Sequence, residues 1–550
     1  GFFELNPEYD SSRDSLVDDR VGFTPFTSPS TSNNNQAFTG ISIDSIGPAG
    51  FNMDFRIKWH EKSGSKIVFN IPDGFDVHDI IPVDLGKNLD GLAVAGNEIF
   101  LYDSLGNQIS SENSLDLTDY STVKLFFDQN NKNLFVLAEN DQNLRIAAWQ
   151  IINSSDLNFQ DSVQIENAAT TSNSILIDNS LVSGVVESGN NMLVSWELTD
   201  QGLEKSEQSV DTPIQSLTGN ANNCYYLSEN RVGRIDSETL NINELVNDSR
   251  ISGNTLFSGH LNNNEKIDLV YNGAESSGIV LDVDETTIIR TITPGFEKIA
   301  LSDIDGDGLS EIINITSTGE LASYNANLNL ENNFPVQIGH ELVGEPLSYD
   351  VNDNRINDVV LVTDSGELYA FDYKGRHIGA FPLTTNISDT DRLCLMNTTG
   401  SQVAFIGTRT GTSHISATKM GTGKLAASSW YCQAGNTNRS FLLEVVETQQ
   451  LSEDVPVLNK DKTFCWPNPV KQSTTNIRYF VNRPATVKID IYDLAGNFVK
   501  SFKDEDPDPL VYNEISWNVD NIESGVYFAM LQASDDSGSQ KEIIKIMVIK

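Results

Sequence analysis

Four carboxylates stand close together in one short stretch of the chain: Asp303, Asp305, Asp307 and Glu311, with Gly308 and Leu309 between the last two. Counted from Asp303, side-chain oxygens fall at positions 1, 3, 5 and 9 and a glycine at position 6. That spacing suits a hard cation that needs six to eight oxygens at once, and Ca²⁺ is the cation it predicts. Gly308 lets the backbone turn sharply, and the carbonyl of Leu309 can supply one more ligand. The pattern returns 47 residues later as Asp350, Asn352, Asn354 and Asp358, with Ile356 where Leu309 stood. Two carboxylates replace four, so this second loop is expected to bind more weakly. A fainter copy runs through His260, Asn262, Asn264 and Asp268, where His260 and Lys266 depart from the pattern. Asp84–Gly91 and Asp128–Lys132 read as eroded forms of the same loop.

No other constellation points to catalysis. His60-Glu61 is followed by Lys62-Ser63-Gly64, without the second histidine of an H-E-x-x-H zinc site. There is no G-x-S-x-G elbow. Gly421-Thr422-Gly423-Lys424-Leu425-Ala426 fits G-x-G-x-x-A but lacks a helical pattern after it, so it reads as a loop. Cys224, Cys394, Cys432 and Cys465 show no C-x-x-C spacing. They are buried thiols, or one or two disulfides if the protein is exported.

The loops need elements to hold them. Each is followed by an apolar run, Ile312–Ile315 or Val359–Val362, then by a Gly-Glu-Leu turn and a second strand. From about residue 65 to 435 this unit repeats, with starts near Ile80, Lys124, Ile175, Asn222, Thr255, Lys298, Gly344 and Arg392. A period of roughly 35–50 residues marks a repeat architecture, and four strands per unit make a propeller blade. The expected fold is all-β: a seven- or eight-bladed β-propeller over 65–446, with Trp430–Asn436 closing the last blade. Ring closure removes exposed sheet edges. These units resemble FG-GAP or VCBS-type repeats on Asp303, Asp305, Asp307, Gly308 and Glu311, with Asp350, Asn352, Asn354 and Asp358 behind them. The resemblance implies Ca²⁺ held between blade strands as a structural staple.

Residues 447–461 read as an acidic linker, and 462–550 as about seven short strands forming an immunoglobulin-like β-sandwich. This last domain resembles the type A C-terminal sorting domain of the type IX secretion system. Pro467-Asn468-Pro469, Ile491-Tyr492-Asp493 with Gly496, Ser524–Phe528 and Lys545–Lys550 stand in family order, with Trp466 where a Tyr is usual. The resemblance implies export across an outer membrane of Bacteroidota-like type, display or release outside the cell, and the secretion machinery as a partner through 462–550. Residues 1–64 form a third segment, in which 40–46 and 51–57 read as a β-hairpin. Glu4–Asp10, Phe23–Ser30, Thr39–Ile43 and Met53–Phe55 resemble the end of the peptidase domain of immune-inhibitor-A-type metallopeptidases. No signal peptide opens the chain, and Gly1–Leu5 reads as the middle of a domain, which predicts a mature or trimmed piece.

Composition narrows the function. With 77 acidic against 36 basic residues the formal charge is −41, so phosphate backbones and anionic membranes are repelled. No run of about 18 apolar residues could span a bilayer. The expected protein is a secreted or cell-surface Ca²⁺-binding propeller that adheres to, binds or supports an extracellular protein or glycan and is not itself an enzyme. Two alternatives are the non-catalytic C-terminal part of a secreted zinc metallopeptidase and a propeller enzyme such as a polysaccharide lyase or glycosidase.

Overall fold

The computed structural model describes residues 22–23, 41–44, 56–59, 66–443 and 456–550, less short stretches at 113–114, 154, 263, 265, 282–286, 353–355, 379–380, 386, 388–391, 399–401, 423–424, 427, 461, 472, 483–484, 506, 508–511 and 536–537. Every regular element among them is a β-strand. Two compact units are present, a large one with its described residues between 22 and 443 and a small one over 456–550.

In the large unit, eight four-stranded antiparallel sheets follow one another among the described residues. Their first strands are Asp79–Val83, Thr122–Asp128, Ala168–Ile177, Ser216–Gly219, Thr255–Gly259, Lys298–Ser302, Leu342–Tyr349 and Arg392–Thr398, and the sheets are numbered one to eight in that order. Six of the expected unit starts fall within two residues of these strand starts. Ile175 lies late in the third strand, and Asn222 in the turn after the fourth. The alternation of side chains explains how the sheets stack. In sheet two, Leu125, Phe127, Leu134 and Val136 pack with sheet one, while Phe126, Phe135 and Leu137 pack with sheet three. Both faces of a sheet are apolar, so each needs a neighbour on both sides. Further clusters join sheets three and four, four and five, and six and seven. The largest joins sheet eight to sheet one and extends through five, six and seven. Polarity rises toward the fourth strands, as in Gln108–Glu112 and Ile288–Ile292, which face solvent more than their partners do. The architecture is β-propeller-like.

Sheet eight takes its outer strand from before sheet one. Lys66–Val68 pairs with Ile415–Thr422 through Ser416↔Val68, Ala417↔Ile67 and Thr418↔Lys66. Trp430–Asn436 is therefore not the closing strand. The short Lys66–Val68 segment suits that edge because only Ile67 is buried and its neighbours face solvent. Gly421 and Thr422 end a strand rather than opening a helix.

The segment from Trp430 to Leu443 instead runs along the free edges of the first strands. Its Trp430 exchanges backbone hydrogen bonds with Ser348 of sheet seven, and the Tyr431 carbonyl accepts from Leu395 N–H of sheet eight. Carbonyls of Thr437, Asn438, Ser440 and Phe441 then accept from Phe127, Leu176, Gly219 and Ser258, in sheets two to five. Edge N–H groups that would otherwise be buried without partners are satisfied by one stretch of chain. Gly435, at φ 97°, makes the turn that allows this, and its missing side chain leaves room for the Trp430 ring, 3.1 Å from where a Cβ would sit.

Away from these sheets, Gly22–Phe23, Ile41–Asp44 and Arg56–Trp59 form a three-stranded sheet. The expected hairpin partner of Ile41–Asp44 is thus Arg56–Trp59, in the register Ile41↔Trp59.

The small unit has two antiparallel sheets. One contains Phe464–Trp466, Thr474–Phe480 and Tyr512–Asn518, and the other Phe498–Asp504, Thr486–Asp493, Gly525–Asp535 and Gly538–Val548. Ile477, Tyr479 and Trp517 from the first share one core with Val487, Ile489, Ala529, Leu531 and Ile546 from the second.

Candidate metal centre

The Asp303 loop joins the first and second strands of sheet six. Its fold is written in hydrogen bonds from its own backbone to its own carboxylates. Asp303 Oδ1 accepts from Gly306 N–H at 2.8 Å and its Oδ2 from Gly308 N–H at 3.1 Å. Asp305 Oδ1 accepts from Asp307 N–H at 3.1 Å. Gly306 and Gly308 take φ values of 79° and 88°, which L side chains disfavour. Glu311 opens the second strand, is 5% exposed, and accepts from Ile304 N–H at 3.0 Å. These bonds bring one carboxylate oxygen from each of Asp303, Asp305 and Glu311 within 4.8 Å of one another.

Three carboxylates so placed repel one another and have lost much of their water. Burial, the larger cause, and the charges of Asp305 and Asp307 push the Asp303 carboxyl up to about 7. Burial, with Asp307 and Glu331, pushes Asp305 up to about 6. Glu311 is raised well above the usual carboxylate range, first by burial and then by its acidic neighbours. A divalent cation would reverse each of these penalties. Asp307 is not brought into the group: its side chain is exposed and accepts from Leu309 N–H at 2.8 Å.

The other loops share the frame but not the charge. The N–H of the second loop residue donates to the last acid in each: Leu85 to Asp90 at 2.8 Å, Leu261 to Asp268 at 3.2 Å and Val351 to Asp358 at 2.9 Å. The terminal acid thus has a structural task in all four. In the Asp350 loop, Asp358 is buried and its carboxyl is pushed well up by burial and by Asp350. Its Oδ1 meets no hydrogen-bond donor among the described residues. Asp350 is half-buried, Asn352 exposed and Ile356 buried, and Asn354 lies outside the described residues. Ile356 packs over Gly306, so the two loops adjoin. At the Asp84 loop, Lys132 from the turn of sheet two ion-pairs with Asp84.

Sequence reasoning missed a second cluster of charge. Asp79, fully buried on the first strand of sheet one, accepts from Arg439 Nη2 at 2.6 Å and from Leu125 N–H at 2.8 Å, with Arg392 Nε 3.4 Å away. Arg439 Nε also donates to the Leu125 carbonyl at 2.8 Å. These residues lie in different repeats, so no local spacing could reveal them. The small unit carries a further feature, an apolar outer face on its four-stranded sheet. Tyr492 is paired with both Phe498 and Phe528, Val526 with Met547, and Met530 with Ile543. Phe498 is 61% and Ile543 59% exposed.

Comparison with known proteins bears on both units. Residues 465–545 match the family model described as the secretion system C-terminal sorting domain. That tail marks a protein exported by type IX secretion, and this chain is secreted or displayed at the cell surface through an interaction of the tail with the secretion machinery. The chain is similar to the Dos1 propeller, at 10% identity and TM-score 0.42, covering 66% of this chain and 96% of that one. It is also similar to BBS1N in complex with ARL6DN (9% identity, TM-score 0.38, 65% and 97% covered). A third similar structure is BamB from Moraxella catarrhalis (9% identity, TM-score 0.35, 66% and 98% covered). Curated protein sequences give no match. Among the described residues no helix is long and apolar enough to cross a membrane. The stretches that resemble a metallopeptidase, Glu4–Asp10, Phe23–Ser30 beyond Phe23, Thr39–Gly40 and Met53–Phe55, lie outside the described residues.

Proposed function

We propose that this chain is an exported, calcium-stapled eight-bladed propeller of the FG-GAP or VCBS type that works outside the cell as a binding or structural module, carried there by an immunoglobulin-like sorting sandwich. The single observation that carries the calcium reading is the convergence of Asp303, Asp305 and Glu311 on one point in a loop whose backbone is already folded around them. Asp303 and Glu311 would hold the ion from the loop's base and Asp305 from its rim. The ion would supply positive charge where three carboxylates have been desolvated, and so would fix the turn between two strands of sheet six. Asp350 and Asp358 would form a weaker second site, with two carboxylates in place of three.

Eight blades are supported by the eight successive sheets, by the strand before sheet one that completes sheet eight, and by the apolar cluster shared by sheets eight and one. A non-catalytic role is supported by how the ionisable groups near the first strands are used. Asp79, Arg392 and Arg439 engage one another, and Glu345 accepts from Gln433 at 3.3 Å. The partner bound outside is an extracellular protein or glycan.

Calorimetric titration of the full chain with Ca²⁺ after chelation tests the reading. One strong site and one weaker site are expected, with the strong one abolished by Asp303→Asn. A flat titration, or an unchanged melting curve in EGTA, would overturn it.

A further inference from the structure

We infer that Cys394 and Cys432 are joined as a disulfide in the exported protein, clamping the Trp430–Leu443 segment to sheet eight. The two residues face each other across an antiparallel bridge. Leu395 N–H donates to the Tyr431 carbonyl at 2.7 Å. That bond joins the residue after Cys394 to the residue before Cys432, so the cysteines form the pair without mutual hydrogen bonds. Pairs of this kind hold their Cα atoms about 4.5 Å apart with side chains on the same face, within the ~4.4–6.8 Å that a disulfide spans. In the structure both are buried thiols, at 0% and 2% exposure. The remaining cysteines have other settings. Cys224 sits in the second strand of sheet four, and the Cys465 sulfur lies 2.9 Å from the Thr475 hydroxyl.

Export supplies the chemistry. A chain that crosses an outer membrane passes through the periplasm, where disulfides form and persist. There one cysteine thiolate attacks a sulfur of an oxidising protein disulfide, giving a mixed disulfide. The other thiolate then displaces the carrier's thiolate. Two electrons and, in net, the two thiol protons pass to the carrier, which leaves as a dithiol. Burial pushes both thiols of the seated segment upward, which leaves little thiolate, so the exchange belongs to the folding chain. The bond would close a loop of roughly 40 residues in the unfolded chain and hold the segment that caps the first strands of sheets two to five, seven and eight.

The test uses the full chain folded in a glutathione redox buffer, quenched in acid, unfolded and alkylated without reductant, then cut with trypsin. The peptides Leu393–Arg409 and Leu425–Arg439 are expected as one species, two hydrogens lighter than their sum, separating on reduction. Cys224 and Cys465 are expected to be alkylated in the first step. Reduction should also lower the Tm by roughly 5 °C. Alkylation of Cys394 and Cys432 as free thiols, or a link from either to Cys224 or Cys465, would overturn the inference. The readout needs no variant, so a misfolded mutant cannot confuse it.

Discussion

Replacing Asp305 by Asn removes one charge from the Asp303 loop and keeps its shape. The Asn Oδ1 can still accept from Asp307 N–H, as Asp305 Oδ1 does at 3.1 Å. Asp303→Asn is less clean, because Asp303 uses both oxygens on Gly306 and Gly308. Two unit charges 4.8 Å apart in a medium of effective dielectric near 20 repel by about 3 kcal/mol. Independently, a carboxyl raised to about 6 carries a penalty of about 3 kcal/mol when ionised. Asp305 is only half-buried, so water screens part of this and about 2 kcal/mol is the expected size. The variant should therefore be more stable than the parent in EGTA at pH 8, by about 2 kcal/mol in urea unfolding of the large unit. In Ca²⁺ the order should reverse. The parent gains about 4.1 kcal/mol at a thousandfold excess over its Kd, more than the ~2 kcal/mol it lacks without the ion, and the variant loses most of that gain. Only a site built to hold a cation makes one substitution stabilising without the ion and destabilising with it. A variant less stable than the parent in EGTA, or stabilised equally by Ca²⁺, would refute the reasoning.

Three further outcomes follow from the same geometry. The calcium effect should depend on pH: carboxyls raised to about 6 and 7 hold their protons more tightly folded than unfolded, so the calcium-free protein loses stability as pH climbs from about 4 through 7, and the Tm gain from Ca²⁺ should be large at pH 8 and nearly gone at pH 5. Arg439→Met should cost about 3 kcal/mol, the low end for breaking a buried ion pair because Asp79 keeps Arg392 and Leu125 N–H, and a loss under about 1 kcal/mol in urea unfolding would deny the pair its role. Phe498→Ser, on the exposed face of the sorting unit, should lower the amount of protein reaching the medium without moving the Tm of the purified chain; unchanged export would show that the machinery reads another surface.

The repeat was legible because each blade carries its own local signal. An apolar run follows a polar turn at near-constant period, and the structure begins six of its eight first strands where that rhythm places them. The two misplaced starts have a physical cause. Ala168–Ile177 opens with Ala-Ala-Thr-Thr-Ser, which carries little apolar pattern, and its register shifts between Thr170 and Ser174. In the fourth sheet, Ser216–Gly219 is only four residues long, so the eye passes to Cys224–Ser228. The acidic loop was legible in the spacing of its acids, of which Asp303, Asp305 and Glu311 come together, while Asp307 lies outside that group. Its side chain is exposed and accepts from Leu309 N–H, apart from the three acids that converge. The role of Trp430–Leu443 was not legible at all. Its backbone hydrogen bonds reach six sheets up to some 300 residues away, and nothing in an aromatic and Asn-rich stretch distinguishes such a segment from a last strand.

The loops after the first strands share one problem and solve it with different chemistry. Each must tie its sheet to the next across a gap of polar groups. Between sheets one and two the tie is an ammonium, Lys132 on Asp84. Between two and three it is a pair of amides, Asn133 donating to Asn179 at 2.7 Å. Between five and six it is backbone, Ser310 N–H on the His260 carbonyl at 2.6 Å, and between eight and one it is Asn397 donating to the Asn88 carbonyl at 2.6 Å. Sheet six alone concentrates three desolvated carboxylates with no protein cation among the described residues to answer them. The Asp84 loop shows what the same frame does when an internal cation is at hand: it keeps two acids, with Leu85 N–H donating to Asp90, and lets a lysine carry the positive charge to Asp84. Lacking that lysine, the Asp303 loop would, on the proposed reading, draw its positive charge from a dissolved ion, which the other ties do not require.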